Sequence, residues 1–201
     1  MKKLSNLVRI AGREDFTCVL SIMDRAFYDD PSVRWYHSDS SETFALEHHL
    51  YVQLCAEAAL LHGGVHVTTR EDGAAIWYPP DGGVSDEDYN TFKFTMRNPD
   101  KMDRLSDLAE ACDEFRPNEA HWTLELLGVD PNAQNGGIGS NLMAFGLENA
   151  NHSKMPVFLV SSNRKNLPFY RRFGFDVLAE VNLHGLPTMF PMIRKPSPFS
   201  N

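Results

Sequence analysis

The sequence predicts a mixed α/β domain in which hairpins flank a parallel β-α-β core. Three observations carry this. A chain of 201 residues makes one domain, residues 1–201, the default. Val65 to Thr69 and Ala74 to Tyr78 are strand-like runs joined by Glu71-Asp72-Gly73, a hairpin signal. Trp122 to Val129 reads as a strand, followed by a glycine-rich turn, a helix from about Gly137 to Asn151, and the short apolar run Val157 to Val160. Such a run fits a strand buried on both faces, so its partner should be parallel, with a right-handed crossover.

The remaining elements fill in around this core. A short strand near Leu7 to Ile10 leads into a helix from about Glu14, where Phe16, Val19, Leu20, Met23, Ala26 and Phe27 recur at helical spacing. Asp29-Asp30-Pro31 should end it. A second helix is expected from about Ser41 to Leu61, stopped by Gly63-Gly64. Pro79-Pro80-Asp81-Gly82-Gly83 is a loop. Ser85 before Asp86, and Asn98 before Pro99, mark starts of one or two helices inserted over residues 84–117. A short helix around Asn166 to Phe173 and two closing strands, near Phe175 to Asn182 and Thr188 to Ile193, complete the chain.

Composition narrows the function. The chain is 42% hydrophobic and 23% charged, as expected of a folded globular protein. A formal net charge of -8 argues against nucleic acid or an anionic membrane as the main partner. No apolar stretch approaches a membrane span, and the basic start at Met1-Lys2-Lys3 is not followed by an apolar signal core. Cys18, Cys55 and Cys112 are widely spaced in helix-like segments. That pattern implies a reducing compartment, hence a cytoplasmic location, with the thiols as small buried side chains.

The strongest chemical signal is Val129-Asp130-Pro131-Asn132-Ala133-Gln134-Asn135-Gly136-Gly137-Ile138-Gly139-Ser140. Glycines between a strand and a helix let successive backbone N–H groups converge on one anion, and the helix dipole favours negative charge there. A phosphate or pyrophosphate is the expected ligand. A Walker loop is rejected because no Gly-Lys pair precedes a Ser or Thr. A dinucleotide loop is rejected because Ser140-Asn141-Leu142 follows Gly139 where a further Gly or Ala is needed.

At this loop the sequence resembles the GNAT superfamily of N-acetyltransferases. Gln134 to Gly139 matches the family pattern Q/R-x-x-G-x-G/A, and Asn166-Leu167-Pro168-Phe169-Tyr170-Arg171-Arg172-Phe173-Gly174-Phe175 looks like its N-x-x-F-Y-x-x-x-G-F segment. The resemblance is clear over residues 121–180. Upstream, Asp29-Asp30-Pro31, Gly73 to Pro80 and Leu124 to Val129 look like the branch containing puromycin N-acetyltransferase. The resemblance implies a central, mostly antiparallel twisted sheet with one parallel strand pair and flanking helices. It also implies acetyl-CoA as acetyl donor, no metal, and direct transfer to an amine in a ternary complex.

It assigns residues as well. Gln134, Asn135, Gly136, Gly137, Ile138, Gly139 and Ser140 should bind the pyrophosphate. Backbone groups of Leu127 and Val129 should hold the acetyl carbonyl and pantetheine, and Asn166 should contact the pantetheine arm. Many relatives carry basic residues within this loop and this chain does not; Arg164, Lys165, Arg171 and Arg172 are the nearby cations in sequence. Tyr170 matches the family's general acid, a phenol of reference pKa about 10 serving a thiol near 8.5.

For the base, strand alternation puts His121, Thr123 and Glu125 on one face, opposite Trp122, Leu124 and Leu126. A carboxylate in mid-strand is costly unless paired or employed, which favours Glu125, directly or through water; His121 is the alternative. His48 and His49 are adjacent on a helix and should diverge, and His62 and His66 lack ligand company. Trp35, Tyr36, Trp77 and Tyr78 are aromatic candidates for an acceptor pocket or for core. The expected function is acetylation of a primary amine of a small molecule by a monomer or homodimer. The alternatives are a peptide or protein N-acetyltransferase, favoured by a long open groove, and a non-catalytic acyl-CoA sensor.

Overall fold

The computed structural model describes residues 7–37 and 44–196. The chain runs β1 (Val8–Ile10), a 3-10 turn, α1 (Phe16–Phe27), α2 (Pro31–Tyr36), α3 (Phe44–Leu60), β2 (Val65–Thr68) and β3 (Gly73–Tyr78). It continues with α4 (Asp86–Thr95), α5 (Pro99–Asp113), β4 (Trp122–Val129), α6 (Ile138–Ser153), β5 (Val157–Ser161), α7 (Leu167–Arg171), β6 (Asp176–Val177) and β7 (Phe190–Arg194). The strands form one sheet in the order β1-β2-β3-β4-β5-β7-β6. Among the described residues only β4 and β5 pair in parallel; the other neighbours are antiparallel. This is the expected mixed sheet with its single parallel pair.

Both faces are covered. On one, Val19, Ile22 and Met23 of α1 and Val52, Cys55, Ala56 and Ala59 of α3 pack on Val65, Val67, Ile76 and Leu126. On the other, Leu142, Met143 and Leu147 of α6 pack on Ala75, Trp77, Leu124, Val157 and Leu159. Gly146 makes the second packing possible, because a Cβ there would lie 2.2 Å from the Trp77 ring.

The inserted helices start where the capping residues predicted. Ser85 Oγ accepts the Asp88 N–H at 3.1 Å and Asn98 Oδ1 the Lys101 N–H at 3.1 Å. Both helices add to the α1/α3 face: Phe92, Met96 and Met102 cluster with Tyr36, and Leu108 and Cys112 with Val181.

Two expectations change, and one falls outside the described residues. Asp29-Asp30-Pro31 begins an element as well as ending one: Asp30 Oδ1 accepts the Ser32 N–H at 2.9 Å and Pro31 occupies the first turn, so a short helix α2 follows. The closing strands are interrupted: β6 spans only Asp176–Val177, with a separate bridge Val181↔Met189, and β7 inserts between β5 and β6. The second helix is seen from Phe44; its expected start at residues 41–43 lies outside the described residues.

His66 lies buried on the α6 face, its ring edge-on to Phe145 at 4.8 Å. Burial disfavours the imidazolium and pushes its pKa down to about 4. Above the unfolded value of about 6.5 both states are neutral; as pH falls toward the folded value the unfolded chain takes up a proton that the folded chain refuses. Stability should therefore be lost between about pH 6.5 and 4, by about 3 kcal/mol in total. Urea titrations of wild type and His66→Leu across that window should show this loss in the wild type and not in the variant.

Candidate active site

Strands β4 and β5 pair only at their starts, Trp122↔Val157 and Thr123↔Phe158, and then diverge. The gap opens into a cleft of about 760 Å³. Its walls are Leu124, Glu125 and Leu127 to Val129 on one side and Leu159 to Asn163 on the other; the turn after β4, the first turn of α6, and α7 close its ends.

The β4 wall is built by a bulge. The ladder pairs Ile76↔Leu126 and then Trp77↔Leu124, so Glu125 has no partner on β3. Past the bulge, alternation shifts by one residue. Leu126 joins the α1/α3 face with Glu125, whereas Leu124, Leu127 and Val129 face α6. The expected opposition of Glu125 and Leu126 is thus corrected.

The same ladder fixes where the main chain of β4 points. The Asp130 N–H donates to the Asp72 carbonyl at 2.9 Å, one residue beyond the Gly73↔Val129 pair. Hydrogen-bonded and non-hydrogen-bonded pairs alternate in an antiparallel ladder. Leu127 and Val129 are therefore of the second kind, with N–H and C=O turned away from β3 and toward the cleft. Gly128 lets α1 approach from behind: a Cβ there would meet Met23 Sδ at 2.7 Å and Ala26 Cβ at 3.0 Å.

At the turn, Gly137 takes a left-handed φ of 81° and no side chain caps α6. The first N–H groups of the helix, at Ile138, Gly139 and Ser140, are left open where these residues line the cleft. Gln134 Nε2 donates to the Val129 carbonyl at 3.3 Å, folding the turn onto the strand end. Arg25 lies in the same wall, held to Asp130 at 2.7 Å.

Glu125 and Tyr170 both line the cleft. Glu125 Oε1 accepts the Tyr51 hydroxyl at 2.8 Å and lies 3.9 Å from Cys55 Sγ. Desolvation is the largest influence and raises its pKa; the Tyr51 hydrogen bond and the charge of Arg116 oppose the rise. Burial pushes the Tyr170 phenol up to about 12, with a further push from the charge of Asp30.

Of the residues expected to bind cofactor, Leu127, Val129, Gln134, Asn135, Gly137, Ile138, Gly139, Ser140 and Asn166 all line the cleft; Gly136 does not. His121 is not in the lining either, and its Nδ1 meets the Glu119 carbonyl at 2.8 Å. Lys165 and Arg172 line the cleft, whereas Arg164 is paired with Glu180 and Arg171 is outside the lining. Trp77 is buried under α6 and Tyr78 against α3, so both are core. Tyr36 is core as well, and Trp35 donates to the Gly185 carbonyl at 2.7 Å.

His48 and His49 do not diverge: both Nδ1 atoms meet the carboxylate of Asp24, at 2.8 and 3.1 Å. The helix α1 supplies one acceptor with two oxygens between them. Among the described residues no group of three or more His, Cys, Asp or Glu is arranged to hold a metal ion.

Among the site residues missed in the sequence is Asp30. Asp30 is buried and lines the cleft, with one oxygen capping α2 and the other accepting the Ser162 hydroxyl from the end of β5. The signal was an acidic residue directly before a proline, which marks a helix cap. Its nearness to Tyr170 is tertiary and carries no local pattern.

Comparison with known proteins agrees with this geometry. Residues 106–177 match the model of the acetyltransferase (GNAT) domain. An acetyltransferase from Corynebacterium glutamicum, described as histone acetyltransferase HPA2 and related, superposes with a TM-score of 0.70 at 20% identity, covering 97% of this chain and 98% of that one. The polyamine N-acetyltransferase of Drosophila melanogaster gives 0.64 at 13% identity, covering 94% and 99%. A mosquito arylalkylamine N-acetyltransferase-like protein gives 0.61 at 13%, covering 94% and 99%. This chain has the fold of the GNAT acetyltransferases, and strands β4 and β5, which flank the cleft, lie within the stretch that matches their domain model.

Proposed function

We propose that the whole chain is one acetyltransferase domain that moves the acetyl group of acetyl-CoA onto a primary amine of a small molecule. The carrying observation is that open helix-start amides, the main-chain edge of β4 turned away from β3, Glu125 and Tyr170 all line one cleft. The residues fit acetyl-CoA. The amides of Ile138, Gly139 and Ser140 suit a pyrophosphate, and Lys165 and Arg172 supply the positive charge that the turn lacks. Leu127 and Val129 offer strand-edge groups to a pantetheine amide, and Asn166 lies in the same wall. Acetyl-CoA supplies an activated thioester carbonyl.

The protein's own groups do the rest. Glu125, with its raised pKa, takes the proton of an ammonium acceptor directly or through water. An N–H of the β4 edge donates to the acyl oxygen as it gains charge. The Tyr170 hydroxyl donates to the leaving sulfur. At about 12 the phenol stays protonated at neutral pH. Full transfer to a thiolate of reference pKa about 8.5 is uphill, so most of its help comes as a hydrogen bond.

We favour a small acceptor at Glu125. On its face of the sheet, Trp35 of α2 and Arg104 of α5 both bond the turn before β7, at the carbonyls of Gly185 and His184. Lys101 also donates to the Trp35 carbonyl at 3.2 Å. These contacts tie α2, α5 and the turn before β7 together. Neighbours in fold named for polyamine and arylalkylamine acetylation support the same class. We extend the reading to the puromycin-like branch on the upstream sequence segments.

Gly139→Val tests the placement. A Cβ at this position would meet Phe169 and Val129 at ordinary contact, 3.5 and 3.6 Å, so the fold should tolerate it while the larger side chain enters the cleft. Calorimetry should show acetyl-CoA binding weakened by about tenfold or more, a loss of about 1.4 kcal/mol, with the thermal midpoint little changed. Unchanged affinity would remove the turn from the cofactor site.

A further inference from the structure

The bulge that turns Glu125 toward α3 places it against a side chain that no family pattern supplied. Tyr51 lies on α3 and its hydroxyl donates to Glu125 Oε1 at 2.8 Å. Tyr51 itself packs on Phe92, with ring centroids 5.8 Å apart, and belongs to the cluster of Tyr36, Met96 and Met102. Its ring is therefore fixed by the inserted helices, and its hydroxyl is aimed at one carboxylate oxygen. The other oxygen of Glu125 is left for the cleft.

We propose that Tyr51 is a positioning residue for the transfer reaction, holding one oxygen of Glu125 so that the other faces the acceptor. This rests on the reading of Glu125 as the base. Every titratable or charged group around Glu125 enters the balance. Tyr51 and Cys55 come from α3, and Tyr78 from β3. Asp113 ends α5, and Arg116 follows it. Arg116 is already engaged, with Asp113 at 2.7 Å and with Thr123 Oγ1 at 3.1 Å. Tyr78 donates to the Cys55 carbonyl at 3.4 Å, not to Glu125. Cys55 Sγ stands 3.9 Å away and donates weakly. Tyr51 is the one strong donor to the carboxylate among the described residues. A donor to the charged form favours ionisation, and in a desolvated setting it does so strongly.

The substitution Tyr51→Phe removes the hydroxyl and keeps the ring that packs on Phe92. Two readouts test it. Carboxyl carbon NMR of the protein without substrate follows the ionisation of Glu125 itself, with Glu125→Gln used to assign the signal. The pH profile of kcat/KM follows the group that limits the reaction. Both midpoints are expected to rise together by about one pH unit in Tyr51→Phe. Where the NMR midpoint of Glu125 does not move, the proposal for Tyr51 is overturned, whatever the kinetics. Where it moves and the kinetic limb does not, Glu125 is not the base, and the positioning role of Tyr51 falls with it. A merely structural Tyr51 would lower thermal stability and move neither midpoint.

Discussion

Glu125→Gln is expected to lower kcat/KM by about 10²–10⁴-fold at pH values where the acceptor amine is still an ammonium. The deficit should shrink as pH rises, because free amine then forms without help from the protein. The sign follows from the site. Glu125 works as the carboxylate, and desolvation raises its pKa, so wild-type kcat/KM should climb as pH rises through that raised value. Glutamine is nearly isosteric and keeps an oxygen for the Tyr51 hydroxyl, which limits packing damage. The measurement is a pH–rate profile of both forms with one amine of known pKa. A rate ratio that stays constant across the range would transfer the proton to water or to no side chain. His121 is a poor substitute because it does not line the cleft.

Tyr170→Phe should slow turnover by about 10²-fold, at the low end of what a proton donor contributes, and leave acetyl-CoA affinity nearly unchanged. The low end follows from the phenol being held at about 12, well above a matched acid for a thiolate. The ring meets Phe169 and Phe175 edge-on, with centroids 5.3 and 6.1 Å away, and phenylalanine preserves both contacts. Single-turnover rates and calorimetry separate the two effects. Wild-type turnover in the variant would remove Tyr170 from the reaction. A matching loss of affinity would make it a binding residue instead.

The parts of the fold that local chemistry specifies were legible in the sequence. The hairpin of β2 and β3, the β4-α6-β5 unit and the caps at Ser85 and Asn98 each depend on neighbouring residues, and each stands where it was expected. The bulge at Glu125 was not legible, because it is defined by pairing with β3 and leaves the composition of β4 unchanged. For the same reason alternation misplaced Leu126. Adjacent positions on α3 said that His48 and His49 part, but the acceptor that reunites them comes from α1. Tyr51 and Asp30 reach the site from elements far away in the chain; Tyr51 carried no local mark, and the mark at Asp30 named a helix cap without naming the site it joins.

The central claim is transfer of acetyl from acetyl-CoA to a small amine, and the most direct measurement is release of free thiol from acetyl-CoA in the presence of a panel of amines. The panel should hold polyamines, arylalkylamines and amino-nucleoside-like amines, together with peptides bearing free amino groups. The expected result is thiol release that depends on at least one small amine, saturates with both substrates, is greater than with any peptide, and falls in Glu125→Gln. Tight acetyl-CoA binding with no amine-dependent thiol from any acceptor would contradict it and mark the chain as an acyl-CoA sensor; thiol release confined to peptides would contradict the small-molecule assignment.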